Sequence, residues 1–253
     1  MDIPQLFRRL LIPTVLGMVF SAAFVITDGI FVGHGIGSDA LAAVNITSPL
    51  FLISTGVGLM FGVGASVVAS IHLSHGKLRT ARINITQAVV VSTLLLALYS
   101  LAISLFTPEV ARLLGRSDRL LPLAVEYMRW FVPFLPFSAL LSSGMFFIRL
   151  DGSPNYAMFC NVVPAVINIV LDYVFIFVCG WGMLGAALAT SLGYVVGAVM
   201  IVVYLSRRRC RVRFCRVKTS RKSLRLTRRN VGYMCRLGLS SFLCEAAIAT
   251  MMF

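Results

Sequence analysis

The feature that most constrains the fold is a set of six long apolar runs. They cover residues 10–32, 43–73, 85–106, 130–148, 156–179 and 183–205. A helix needs about 20 mostly apolar residues to cross a hydrocarbon layer of about 30 Å. The chain is 58% hydrophobic and only 13% charged, a balance that would coat a soluble protein in apolar surface. We therefore predict an all-α, polytopic membrane bundle of six transmembrane helices.

A seventh apolar run begins at Leu237 and continues to Phe253. It is shorter than the about 20 residues that a membrane helix needs, so we predict a partial seventh helix. The sequence then divides into three regions. Residues 1–205 form an N-terminal six-helix transmembrane lobe, 206–236 form a basic cytoplasmic inter-lobe loop, and 237–253 form the truncated start of a C-terminal lobe.

The basic residues are concentrated in one place. Thirteen of the 23 Lys and Arg lie in residues 206–236, which contain no acid. Such clusters beside a membrane helix are typical of cytoplasmic segments and attract anionic lipid headgroups. Phe214 and Tyr233 are the aromatic residues of this stretch and do not form the interleaved stacking platform that binds bases, which favours membrane lipid over nucleic acid as the partner.

The charge pattern also predicts the orientation. If the N-terminus is cytoplasmic, the inside segments hold nineteen of the 23 basic residues and the outside segments hold four. The outside four, Arg112, Arg116, Arg119 and Arg129, are balanced by nearby acids. An incorrect helix count would scramble this asymmetry, so it supports six crossings in a cell membrane with the N-terminus inside.

Three acids lie within the apolar runs: Asp28 in the first helix, Asp172 in the fifth and Glu245 in the seventh. An Asp at the centre of a membrane helix costs about 2.5–3.5 kcal/mol, so such residues usually face a cavity or a partner. For Asp28 the alternative is that the carboxylate reaches out to the nearby membrane interface.

Asp172 belongs to a polar stripe. Pro164, Asn168 and Asp172 are spaced by four residues and share one helical face, and Pro164 is expected to bend the helix. A carboxylate and a carboxamide on one face predict a proton site or an oxygen-ligand cation site. The alternative is an interhelical hydrogen bond that only holds the bundle together, worth about 0.6 kcal/mol in membranes.

Three segments resemble signatures of the multidrug and toxic compound extrusion (MATE) family. Pro13 followed by Asp28, then residues 29–37 (GIFVGHGIG) and 41–44 (LAAV), resembles the first-helix signature. Residues 168–172 (NIVLD) with Phe175 and Ile176 resemble the fifth, and residues 182–190, ending in Thr190, resemble the sixth. The three segments occur in the family's order and cover essentially the whole chain.

The resemblance implies a fold of two six-helix lobes that export organic cations or other amphiphiles in exchange for H⁺ or Na⁺. By that resemblance Asp28, Asn168, Asp172 and Thr190 match a cation or proton site, with Na⁺ as the only metal it implies. Pro13 matches a first-helix proline at which the helix bends, and Glu245 falls where the family often carries a further acid. No cofactor besides the coupling ion is expected. Transport by alternating access needs two halves, so we expect a complementary C-terminal lobe as partner.

Other functions remain open from the sequence. A lipid-linked saccharide flippase of the same superfold would grip pyrophosphate with basic residues inside its cavity, and the six runs carry no Lys or Arg deep within them. A non-transporting fragment is a further alternative. An enzyme is not expected, because the intramembrane acids lack a nucleophile and base arranged around them. A Walker A motif is also lacking, so any transport should use an ion gradient.

Overall fold

The structure is a computed structural model that describes residues 3–115, 119–207, 210–215 and 221–252. Its described part is helical. The α-helices are α1 (Ile3–Gly35), α2 (Ser38–Ser74), α3 (Leu78–Leu105), α4 (Thr107–Leu114), α5 (Leu121–Phe131), α6 (Leu135–Leu150), α7 (Pro154–Asp172), α8 (Gly182–Ser206) and α9 (Arg221–Met251). A 3₁₀ turn at Val132–Phe134 joins α5 to α6, and a π-helical segment at Tyr173–Val178 extends α7.

Seven helical spans in the described residues are long and apolar enough to cross a membrane. They are Leu11–Gly35, Ser38–Ser74, Leu78–Leu105, Leu121–Leu150, Pro154–Val178, Gly182–Ser206 and Thr227–Met251. The first six coincide in order and position with the six predicted runs, which confirms the all-α membrane bundle. Many large apolar side chains on these spans are exposed, as expected for surfaces that face lipid.

Two predicted boundaries were wrong. The fourth span begins at Leu121 rather than at residue 130, because α5 carries Glu126 and Arg129 and still forms a helix. The last helix begins at Arg221 rather than at Leu237, so residues 221–236 are not loop, and Thr227–Met251 is long enough to span. Both errors have one cause: Lys, Arg and Glu lower the hydropathy of a segment but are good helix formers.

Helix α2 lies between α6 and α9 and contacts both of them closely through glycines. A Cβ at Gly58 would lie 2.9 Å from Ala139 Cα, and one at Gly62 would lie 2.8 Å from Ser143 Cα, both on α6. On another face, Gly64 lies against the carbonyl of Met234 on α9. Small residues of this kind let membrane helices approach until their backbones touch.

The connections between helices meet at two ends of the bundle. At one end the Asp151 carboxylate accepts hydrogen bonds from the Tyr204 hydroxyl and the Val212 N–H, both at 2.9 Å. There the Arg82 guanidinium also donates to the Arg211 carbonyl at 2.7 Å. At the other end Arg119 pairs with Asp39 at 2.6 Å. The segments that the charge pattern assigns to one side of the membrane therefore lie together in the fold.

Candidate functional site

The polar stripe on α7 faces the interior of the bundle. Asn168 is 1% exposed and Asp172 is fully buried, and Pro164 one turn earlier is buried as well. Their spacing of four residues places them on one face of the helix. Directly after Asp172 the backbone changes to the π-helical segment, a local widening that occurs often at functional sites.

Helix α8 supplies a hydroxyl opposite this stripe. The Asn168 amide nitrogen donates to the Thr190 hydroxyl at 3.4 Å, and the Thr190 hydroxyl donates to the Ala186 carbonyl at 3.0 Å. The side-chain carbonyl oxygen of Asn168 makes no hydrogen bond to any residue that the structure describes. The amide therefore presents an unused oxygen beside Asp172.

Helix α1 brings the second carboxylate. Asp28 and Asp172 lie close enough for their charges to influence each other, and Asp28 lines one cavity together with Tyr127 of α5 and Thr190 of α8. Two carboxylates this close repel each other when both are charged. A proton or a bound cation between them would relieve that repulsion.

The cluster contains oxygen atoms that lack hydrogen-bond partners among the described residues. They are Asp28 Oδ1, Asn168 Oδ1 and both carboxylate oxygens of Asp172, and all four atoms are buried. Burying a polar oxygen without a partner is costly, and native proteins rarely leave such atoms unsatisfied. Carboxylate and amide oxygens are the ligands that hard cations such as Na⁺ prefer. The group is therefore suited to hold a cation or a proton.

Two cavities meet at this cluster. The larger, of about 320 Å³, is lined by Asn168 and Thr190 together with apolar and aromatic side chains from α1, α2, α6 and α7. The smaller, of about 180 Å³, is lined by Asp28 and Tyr127. Five residues line both: Phe24, Val25, Phe51, Thr190 and Tyr194. The group of Asp28, Asn168 and Thr190 therefore lies where the larger, mostly apolar cavity adjoins the smaller one that holds Asp28.

Two tyrosines at the site were missed by sequence reasoning. Tyr127 was assigned to an outside loop because Glu126 and Arg129 flank it, yet α5 buries it beside Asp28. Tyr194 lines both cavities and stacks on Phe51 with ring centroids 5.6 Å apart. It lies four residues after Thr190, so helical periodicity alone was a usable signal.

The remaining predicted residues lie elsewhere. Glu245 on α9 faces Gly56 of α2, where a Cβ would lie 3.0 Å from the Glu245 Cβ, and it lines neither cavity. The structure therefore does not bring it into the Asp28 cluster, and its role as an additional coupling acid stays a prediction. Pro13 and Pro164 lie inside α1 and α7, and Pro164 also lines the larger cavity.

The chain matches the model of one protein family over most of its length. The MatE family model matches residues 13–174, which is more than half of the chain and includes Asp28, Asn168 and Asp172. The chain belongs to the MatE family. Family membership confirms the resemblance drawn from the three helix signatures. Members of this family are membrane transporters rather than enzymes, in agreement with the names of the similar proteins.

Similar proteins come from several bacteria. The chain is 27% identical to the probable multidrug resistance protein YoeA of Bacillus subtilis, over 93% of this chain and 52% of that protein. It is 26% identical to an FAD transporter of Shewanella oneidensis, over 77% of this chain and 44% of the relative. The multidrug export protein MepA of Staphylococcus saprophyticus is 27% identical, with 78% and 44% covered. The chain thus spans about half the length of these relatives.

Solved structures agree with the fold. A MOP superfamily transporter from Pyrococcus furiosus superimposes with a TM-score of 0.79 at 27% identity, over 98% of this chain and 54% of that one. An outward-facing multidrug resistance MATE transporter gives a TM-score of 0.79 at 28% identity with the same coverage. An inward-facing one gives 0.76 at 28% identity. The described helices therefore have the arrangement of a MatE lobe.

Proposed function

We propose that this chain is the ion-handling lobe of a multidrug exporter that antiports organic cations or amphiphiles against H⁺ or Na⁺ by alternating access. The observation that carries the proposal is the set of buried oxygens of Asp28, Asn168 and Asp172 that lack partners among the described residues, with Asn168 lining the larger, mostly apolar cavity and Asp28 the smaller one beside it. A purely structural cluster would pair these atoms, because each unpaired oxygen costs free energy.

The chemistry of the cavities supports an organic cation as substrate. In the described part of the chain, aromatic residues such as Phe24, Phe51 and Tyr194 line both cavities, and neither lining includes Lys or Arg. Aromatic faces and a nearby carboxylate attract a lipophilic cation. A flippase that grips pyrophosphate needs the opposite charge, so the saccharide flippase is not favoured. The same argument disfavours a flavin dinucleotide, although one relative is an FAD transporter.

Coupling follows because the substrate and the coupling ion compete for the same pair of carboxylates. With Asp28 and Asp172 both ionised, the cluster attracts a cationic substrate into the adjoining cavity. When H⁺ or Na⁺ binds between the carboxylates, that attraction weakens and the substrate is released. A ligand shifts a conformational equilibrium only through a difference in affinity for its states, and this competition supplies one. Bending of α1 at Pro13 is the motion that we propose accompanies it.

The proposal includes an orientation and a partner. We place the N-terminus and the basic segment around residues 206–236 in the cytoplasm, in accordance with the charge asymmetry. Alternating access works by moving one half against the other, so the lobe acts with a complementary C-terminal lobe. Structures of MATE transporters in outward-facing and inward-facing forms support such a cycle.

A binding measurement on Asp172→Asn tests the ion site without requiring transport. Ethidium serves as the organic-cation probe, its affinity for the purified chain in detergent being measured by fluorescence at rising Na⁺ or falling pH. In the unmodified chain we expect the coupling ion to weaken ethidium binding by about 5- to 150-fold, the usual range for coupled sites. In Asp172→Asn we expect this dependence to disappear, because the substitution removes the shared charge.

The matched control is Asp39→Asn, the same chemical change at an exposed acid paired with Arg119. It should keep the ion dependence. Ethidium binding that responds equally to the ion in both variants would refute the assignment of the site. Ethidium efflux from proteoliposomes that contain the complete two-lobe transporter then tests the export step separately.

A further inference from the structure

The first turns of the last span present arginines on an exposed face. Arg228, Arg229 and Arg236 are exposed, as are Gly232 and Tyr233 between them. These five residues line a surface hollow of about 430 Å³. Arg228, Gly232 and Arg236 are spaced by four residues and share one stripe of α9, so the two guanidinium groups lie on either side of the glycine.

Gly232 has no packing role in the described part of the chain. A Cβ built there meets nothing within 4 Å, whereas one at Gly238 would collide with the Met60 carbonyl. A glycine inside a helix costs about 0.5–1 kcal/mol relative to alanine. Its effect at this position is to leave the floor of the hollow open between Arg228 and Arg236.

Hydrogen bonds fix which face of α9 points outward. The Gln87 amide of α3 donates to the Thr227 hydroxyl at 2.8 Å, and the Asn230 amide donates to the Asn84 carbonyl oxygen at 3.1 Å. These contacts hold one face of α9 against α3, so the arginine stripe lies on the free side. Within the described ranges the ion pair found is Arg119–Asp39, at the opposite end, so these arginines have no carboxylate partner there.

We infer that the hollow formed by Arg228, Arg229, Gly232, Tyr233 and Arg236 binds the phosphate group of an anionic phospholipid. Guanidinium groups bind phosphate oxygens with two parallel hydrogen bonds, and tyrosine is enriched at the depth of lipid headgroups. The hollow lies in the first turns of the span Thr227–Met251. Leu237 and Leu239, on the next turns, are 39% and 46% exposed and would contact acyl chains. A headgroup whose tails continue along this apolar surface fits better than a soluble phosphate compound.

The test counts bound lipid on the full chain by native mass spectrometry. The purified protein is titrated with phosphatidylglycerol in detergent micelles, with phosphatidylcholine titrated in parallel. An arginine near an anionic membrane surface contributes about fivefold in affinity, so Arg228→Gln with Arg236→Gln should weaken phosphatidylglycerol binding by about 25-fold. Gly232→Leu, which fills the floor of the hollow and retains every charge, should also weaken it measurably. Phosphatidylcholine binding should not change in either variant.

The charge-matched control is Arg112→Gln with Arg129→Gln, two exposed arginines at the opposite end. It should bind phosphatidylglycerol like the unmodified chain. Equal loss in this control would show a general charge effect and overturn the site, as would unchanged binding in Gly232→Leu. Displacement of the lipid by an equal concentration of glycerol 1-phosphate would assign the hollow to soluble phosphates and overturn the lipid assignment.

Discussion

Two groups of buried polar side chains lie in the membrane-spanning part of this chain, and they differ in how they are satisfied. Where α3 meets α9, Asn84 and Gln87 are hydrogen-bonded to Asn230 and Thr227. Where α1, α7 and α8 meet, Asp28, Asn168 and Asp172 hold buried oxygens that have no partner within the described ranges. A buried polar residue in a membrane helix can thus either pair with a neighbouring helix or keep its oxygen atoms unpaired.

The paired group holds helices together, and the unpaired group has oxygen ligands available for an ion. In the first, each amide finds a complementary amide or hydroxyl on the neighbouring helix. In the second, Asp28 and Asp172 lie close enough for their charges to influence each other, and Asp28 lines the smaller cavity. The interhelical hydrogen bond that the sequence left open as an explanation is present at Asn168, whose amide donates to Thr190 on α8, whereas the Asp172 carboxylate has no such bond among the described residues.

The largest expected effect is a gain of stability on removing the unpaired charge. Asp172→Leu should raise the free energy of unfolding by up to about 2.5–3.5 kcal/mol, the cost of an Asp at the centre of a membrane helix. The same variant should lose the effect of Na⁺ or H⁺ on ethidium binding. Thermal unfolding in detergent measures the first quantity. A clear loss of stability would mean that Asp172 holds the bundle together, and the contrast between the two groups would fail.

The same kind of substitution in the paired group should have the opposite effect and destabilise the protein. Gln87→Leu removes the contacts with Thr227 and Asn230, and membrane hydrogen bonds of this kind are worth about 0.6–1.7 kcal/mol. Ion-dependent ethidium binding should be retained. Ser92→Ala is a suitable control, since Ser92 is buried on the same helix and bonds only to its own backbone at Val89. If Gln87→Leu abolishes the ion response, the α3–α9 contact belongs to the transport machinery.

The smallest effect is expected at Thr190. Its hydroxyl already donates to the Ala186 carbonyl and accepts from the Asn168 amide, so it orients Asn168 more than it offers a free ligand. Thr190→Val should weaken ion binding by about threefold, equivalent to one average membrane hydrogen bond. Thr190→Ser retains the hydroxyl and should behave like the unmodified chain. A complete loss of the ion response in Thr190→Val would instead make the hydroxyl a principal ion ligand.

The sequence predicted the spans well where composition alone decides them. Six apolar runs required six membrane helices, and the stripe of Pro164, Asn168 and Asp172 predicted a buried polar face on α7. Composition failed at α5 and at the start of α9, because charged residues continue a helix without contributing apolarity. Tyr127 was missed for that reason.

The state of the site could not be predicted in the same way. Whether the oxygens of Asp28 and Asp172 find partners depends on how α1, α5, α7 and α8 are rotated against each other. No periodicity within one helix contains that information. The resemblance to the MATE family named Asp28, Asn168, Asp172 and Thr190 together, and the structure adds the hydrogen bond from Asn168 to Thr190 and the proximity of Asp28 to Asp172.

The competition between an organic cation and the coupling ion tests the central claim most directly. Ethidium affinity of the unmodified chain is measured from acidic to alkaline pH, with Na⁺ replaced by choline in a parallel series. The account predicts that affinity falls as H⁺ or Na⁺ rises, and that ethidium binding releases the same ion, because coupling between two ligands is reciprocal. An ethidium affinity that is independent of both ions would contradict it.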